Sequence, residues 1–416
     1  MLLDHFPFLT AEAAHADARR LIMVRALSAF PPLAERLRRQ ESRVSWLPDL
    51  IDAQTPERIL SAVPYFWLHI RQAFEVLAAP HPSATLDRFL DHLAIAALDS
   101  FAGNLDGFPS GRFPLPATQG AQMMRLGITF DEVLQPYSAE ALGGGLRLYA
   151  GTGSFHISAP ARVTRVPNSY PLRRIEDKAI NLGNSEAQIE NEEAAIDKFP
   201  SGIDRSVAWI ADASPRCASL IAEEIQFVVP LRHDKSAHHS FTLSNLPGLL
   251  FVGGSDNLLQ IVEAIVHETG HARLHHANEV YPLVSGPEQN RYYSPWRDDP
   301  RPPVGLIHGL YVFTLILLFW LDGLESGDLS LREDDRSYIN SRIALIGSQV
   351  REAAAVLDQA ELSPFGLQLL STLRSLVPET ADLPVPVVEL ESARYKLAAK
   401  RSIAMTQFPE LVMPAL

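Results

Sequence analysis

His267-Glu268-Thr269-Gly270-His271 is the stretch of this chain whose residue types and spacing are best suited to chemistry. On a helix, two histidines four residues apart lie about 40° apart around the axis and one turn above each other, so both imidazoles can reach a single metal ion. The surrounding sequence supports a helix. Leu258, Ile261, Val262 and Ile265 recur at helical spacing, and Ser255, after Gly253-Gly254, is placed to cap the first turn. Ala264 and Leu274 flank the histidine face, which is therefore expected to look into the protein rather than toward water.

Catalytic metal sites usually take three protein ligands and leave positions open for water or substrate. The spacing of a long zinc-protease motif fails here, because Leu274 and Ala277 stand where Gly and His are needed. Glu279 and Glu288 follow as carboxylates, but neither sits in a clear helical pattern. His275 shares the helix face with His271, although three ligands from one straight helix strain the geometry. His308 is the stronger candidate: a lone imidazole in the most apolar segment of the chain, where an unpaired polar group is costly. Just before it, Arg297 and Arg301 lie in a loop stiffened by Trp and Pro. Guanidinium forks bind carboxylates in bidentate fashion, and the competing use for these two is pairing with Asp298 or Asp299.

Three blocks in order, His267-Glu268-x-x-His271, then Tyr293 to Pro302, then Gly305 to Tyr311, resemble the HExxH-motif peptide-modification family. These are 2-oxoglutarate-dependent peptide β-hydroxylases of ribosomal-peptide (RiPP) biosynthesis, some of them fused to radical SAM enzymes. The specific match covers roughly residues 250 to 325, and the chain has no Cys-x3-Cys-x2-Cys, so it resembles a stand-alone member. The resemblance implies that His267, His271 and His308 bind Fe(II), leaving positions for 2-oxoglutarate and O2. It implies that Arg297 or Arg301 holds the distal carboxylate of 2-oxoglutarate. Glu268 would orient a water, oxygen or the substrate, a precursor peptide. The alternative is a zinc metallopeptidase, with Zn(II) on the same histidines and Glu268 as general base.

The rest of the chain must position these groups. Residues 1–102 read as helical and residues 103–252 as a mixed region of short strands and helices. Residues 253–416 read as a helical metal-site region, the three together making one compact unit. The expected class is α+β, predominantly helical, with a small sheet flanking the central metal helix. Gly143-Gly144-Gly145 and Ala150 to Gly153 read as turns, the second as a hairpin. A long amphipathic helix spans about Leu331 to Ala360, Ser363-Pro364 starts another, and a proline-rich link leads to a final helix containing Tyr395.

Composition narrows the partners. A hydrophobic content of 47% with 20% charged residues is that of a globular protein with an ample core. The net charge of −13 argues against nucleic acid or an anionic membrane surface as a partner. The single cysteine, Cys217, excludes an internal disulfide framework, fits the cytoplasm and reads as a buried structural thiol. With no basic stretch or cleavage site at the start, a secretory signal is not expected. Val304 to Leu321, apolar enough to suggest a membrane span, reads better as a buried core helix.

Overall fold

The computed structural model describes residues 193–231, 240–244, 248–253, 255, 257–287, 291–325 and 331–414. Before these it describes single helical positions from residue 34, residues 46–54 and 85–101, and short strands between 111 and 158. The described part is mostly helical with small sheets, so the chain is a predominantly helical α+β protein. It forms two compact units: residues 201–224 and 255–416 build one, and the described residues of 19–200 and 225–254 the other.

The second unit holds helices α1 (Leu47–Asp52) and α2 (Thr85–Phe101) and all the strands. Strands β1 (Arg112–Pro114), β2 (Gln122–Met123), β3 (Ile128–Thr129), β4 (Ser138–Leu142), β5 (Gly145–Ala150) and β6 (Gly153–Ser158) come first in the chain. An antiparallel sheet runs in the order β1-β4-β5-β6, and β2 pairs with β3. Leu142 pairs with Gly145 and Ala150 with Gly153, so both glycine-rich stretches are two-residue hairpin connections, the second as expected and the first a more specific form of the turn expected there. A three-stranded sheet has β9 (Leu249–Gly253) between β7 (Phe227–Leu231), parallel to it, and β8 (Ser240–Thr242), antiparallel. All five residues of β9 are buried, and Phe251 stacks on Phe241 at 4.4 Å.

The first unit is a bundle. It takes in residues 201–213 of α3 (Glu193–Ala213) together with α4 (Pro215–Glu224), α5 (Leu258–Val280), α6 (Pro303–Glu325), α7 (Glu333–Leu357), α8 (Pro364–Leu376) and α9 (Val387–Gln407). The membrane-like segment is α6. It is long and apolar enough to cross a bilayer, yet most of it is buried in the protein, packed by α5, α7 and α8. Ile307, Leu310, Leu315, Ile316, Leu317, Leu318, Phe319 and Trp320 are all at or near zero exposure, and Trp209 packs edge-on against Phe319 and Trp320. Burying each such side chain contributes roughly 1.5–3 kcal/mol, so α6 is the spine of the unit.

Helix starts follow the local chemistry. Ser363 caps α8, its hydroxyl accepting from the Gly366 amide at 2.9 Å, with Pro364 in the first turn. At α5 the cap is Asn257 rather than Ser255. The Asn257 carbonyl oxygen accepts from the Leu259 amide at 2.9 Å, while Ser255 Oγ accepts from the Asn257 amide at 3.1 Å and braces the cap itself. Cys217 is buried on α4, where removal from water pushes its thiol up to about 12, so it is an inert core residue.

One glycine sets the distance between the two helices that carry histidines. A Cβ on Gly270 of α5 would stand 3.1 Å from Val312 and Leu315 of α6, closer than ordinary packing allows. Gly270→Val should therefore push α5 and α6 apart and lower stability by roughly 1–3 kcal/mol in urea denaturation, with metal affinity falling as well. Unchanged values for both would show that the crossing does not depend on this residue.

Candidate metal centre

Three imidazoles converge where α5 crosses α6: His271 and His275 from α5 and His308 from α6. One ring nitrogen from each lies within 4.8 Å of the other two. His271 Nδ1 and His308 Nδ1 are 3.4 Å apart, and the His275 and His308 rings have centroids 4.7 Å apart. Two nitrogens bound to one ion at about 2.1 Å and a tetrahedral angle apart are separated by about 3.4 Å. The pair of Nδ1 atoms is thus already spaced as ligands.

The structure brings together His271 and His308, as the sequence reading expected, and adds His275. His267, the first histidine of the motif, stands beside the trio. Its ring meets that of His271 edge-on at 4.7 Å and that of Phe313 at 4.9 Å. So the α5 pair that faces His308 is His271 and His275, one turn further along than the motif pair. Both pairs have the same four-residue spacing, and nothing local distinguishes them. The position of the crossing does.

Electrostatics favour ligation. Burial keeps His267 neutral down to about 4, partly opposed by Glu263 and reinforced by Arg342. Burial does the same for His275, to about 4, and for His308, to about 3, helped in each case by a neighbouring histidine. His271 is held well below its ordinary value, first by burial and then by His267, His308 and His275. Neutral imidazole is the form with a lone pair to give, so the cluster offers nitrogen donors at neutral pH without displacing protons. A set of three imidazoles suits Fe(II), Zn(II), Co(II) or similar ions and leaves positions open for further ligands.

Ion pairs fix the two ends of α5. Arg273, 2% exposed, reaches Glu224 at 2.5 Å and Glu223 at 3.2 Å on α4, and His276 Nδ1 lies 3.1 Å from the other Glu224 oxygen. One turn before His267, Glu263 is gripped by both arms of Arg342 from α7, with Nε at 2.8 Å, and accepts from Trp320 Nε1 at 3.3 Å. Glu268 is also buried, 4% exposed, on the same helix.

The arginine loop is rigid. Tyr292 and Arg301 exchange two backbone hydrogen bonds at 3.0 and 3.1 Å, and Val412 pairs with Arg291 and Tyr293 on the other side. Gln349 of α7 donates to the Pro295 carbonyl at 3.0 Å. Arg297 is 63% exposed and lies 3.6 Å from Asp299. Arg301 is 31% exposed with Nε 3.3 Å from Asp299. Both arginines therefore share the Asp299 carboxylate, the competing use the sequence suggested, and of the two Arg301 is the better buried. Glu288 lies outside the described residues, and Glu279 falls in the last turn of α5 rather than with the histidines.

Folding leaves these imidazoles neutral where the unfolded chain protonates near the ordinary value of 6.5. Below that pH the unfolded state binds more protons, so stability of the metal-free protein is full above it and drains away as pH falls toward 4. The limiting slope is about 1.4 kcal/mol per pH unit for each imidazole. Urea melts of the metal-free protein across this window should show the decline, and His308→Gln should flatten it. For the ligands, His271→Ala, His275→Ala and His308→Ala should each cut Co(II) affinity by on the order of a hundredfold or more in a spectroscopic titration. His267→Ala should retain an ion. Loss at His267 with full loading at His275 would return the site to the motif pair.

A scan against models of protein families finds no match to this chain, and a search of curated proteins finds none either.

Proposed function

We propose that this protein is an Fe(II)- and 2-oxoglutarate-dependent oxygenase that hydroxylates a side chain of a ribosomally made precursor peptide at its β-carbon. One observation carries the reading: His308, in the third of the sequence blocks that suggested it, meets the α5 histidines as a further imidazole. The balance is simple. Peptide C–H, O2 and 2-oxoglutarate become peptide C–OH, succinate and CO2. Iron bound with 2-oxoglutarate would supply the oxidising power for that exchange.

The chain's own residues do the rest. His271, His275 and His308 would hold the ion from one side, fixed in orientation by the α5–α6 crossing. Arg301 would take the distal carboxylate of 2-oxoglutarate, giving up Asp299 for a ligand of the same chemistry; Arg297, more exposed, is the weaker candidate. Phe313 of α6 packs edge-on against His267. Glu268 and His267, on the same helix as the ligands, would orient the peptide.

The zinc peptidase is the second reading. It needs both motif histidines on the ion with Glu268 activating water between them. The grouping of His271 with His275 and His308 leaves His267 aside and so departs from the ligand set of both readings; the presence of His308, from the third sequence block, in the cluster favours the oxygenase. The acidic protein and its reducing-compatible single cysteine suit a cytoplasmic enzyme acting on a peptide.

Protein reconstituted anaerobically with Fe(II), then given O2, 2-oxoglutarate and the precursor peptide encoded beside its gene, should add about one oxygen atom to that peptide by mass spectrometry. Arg301→Ala should raise the 2-oxoglutarate requirement about tenfold or more, and Arg297→Ala far less. Peptide cleavage with Zn(II) alone, without 2-oxoglutarate, would sink the proposal.

A further inference from the structure

Trp296 belongs to the arginine loop, yet the chemistry above gives it nothing to do. Its indole lies flat on Phe313, with centroids 4.8 Å apart and planes 8° from parallel, and Phe313 in turn meets His267 edge-on. The benzo edge of the indole sits over Gly309, the residue after His308. A Cβ there would come within 2.8 Å of Trp296 Cε3 and Cζ3. The glycine is what lets the ring lie so close to the α6 backbone.

The indole Nε1, on the edge of the ring system away from Gly309, is buried and donates no hydrogen bond. Buried indole N–H groups normally have an acceptor, because leaving one without costs free energy. The same loop supplies a second such donor. Arg301 Nε is buried and makes no hydrogen bond, although it lies 3.3 Å from Asp299, to which the same guanidinium donates through Nη2 at 3.4 Å. The Arg301 stem lies 4.0 Å from where a Gly305 Cβ would stand, one turn before Gly309 on α6. Two glycines thus seat two donors of one loop along one strip of the helix that carries His308.

We propose that the Trp296 indole N–H is a ligand-binding donor that, with Arg301, receives a carboxylate of a small dicarboxylic acid bound beside the histidine cluster. This rests on the reading that a diacid such as 2-oxoglutarate binds there, and it adds the second donor. A carboxylate is favoured over a neutral carbonyl because the companion donor is a guanidinium. The group now facing that guanidinium is also a carboxylate, Asp299, itself largely exposed and free to be replaced.

The test is binding to Co(II)-loaded protein, which does not turn over. Trp296→Phe keeps the stack on Phe313 and the seat over Gly309 while deleting the N–H. Calorimetry with 2-oxoglutarate, oxaloacetate and succinate should show the variant about tenfold weaker for whichever acid the wild type binds. Binding of succinate or oxaloacetate but not 2-oxoglutarate, with the same loss in the variant, upholds the Trp296 role and overturns only the choice of cosubstrate. Equal affinity in variant and wild type overturns the Trp296 role, as does a wild type that binds none of the three. Wild-type protein carrying 15N-labelled tryptophan gives a check that needs no variant. One of its five indole N–H resonances should move downfield on adding the bound acid. If all five stay in place, Trp296 is a packing residue.

Discussion

The close crossing of α5 and α6 is the constraint on which the candidate site depends. Imidazoles from two helices can share an ion only if their ring nitrogens come within a few ångströms, and side chains of this length leave little slack. At Gly270 the missing side chain lets α5 ride against Val312 and Leu315. His271 follows immediately, and its Nδ1 stands 3.4 Å from that of His308. A residue that weakens helices by about 1 kcal/mol relative to alanine is tolerated here because it sets this spacing.

The crossing is held from outside the cluster. Glu263 with Arg342 and Trp320 ties α5 to α7 and α6 before the histidines, and Arg273 with Glu224 ties it to α4 after them. Buried pairs of this kind add little net stability, but breaking one strands a charge and costs several kcal/mol. Their effect is on register: α5 cannot slide or turn without losing both. That suits a helix whose function depends on which of its faces meets α6.

Much of the bundle was legible in the sequence. Ser363-Pro364 announced a helix start, and Gly143-Gly144-Gly145 and Ala150 to Gly153 announced turns, the second a hairpin, because these signals are local. The uniform hydrophobicity of α6 marked it as buried, though it could not say by what. The histidine trio was only half legible. His308 stood out as a polar group in an apolar run. His275 did not, because His267 and His271, and then His271 and His275, repeat one spacing, and a helix carries no internal mark of where a neighbour will cross it. The choice is tertiary, made by Gly270 and the ion pairs at each end. The cap of α5 shifted from Ser255 to Asn257 for a smaller reason: two competent side chains lay two residues apart, and the one nearer the first apolar turn took the amide.

The apolar setting of the cluster decides what it can do. Four imidazoles side by side would repel if charged, and burial keeps them neutral well below physiological pH. A cluster arranged to bind protons would be placed where charge is solvated. This one instead presents the lone pairs of neutral imidazoles from α5 and α6 to one point, an arrangement that suits a cation. The −13 net charge of the chain adds a favourable field for such a cation but an unfavourable one for a diacid. On the proposed reading a diacid needs donors fixed locally, and the Tyr292–Arg301 loop, closed by its own backbone bridge and braced by Gln349, would supply them.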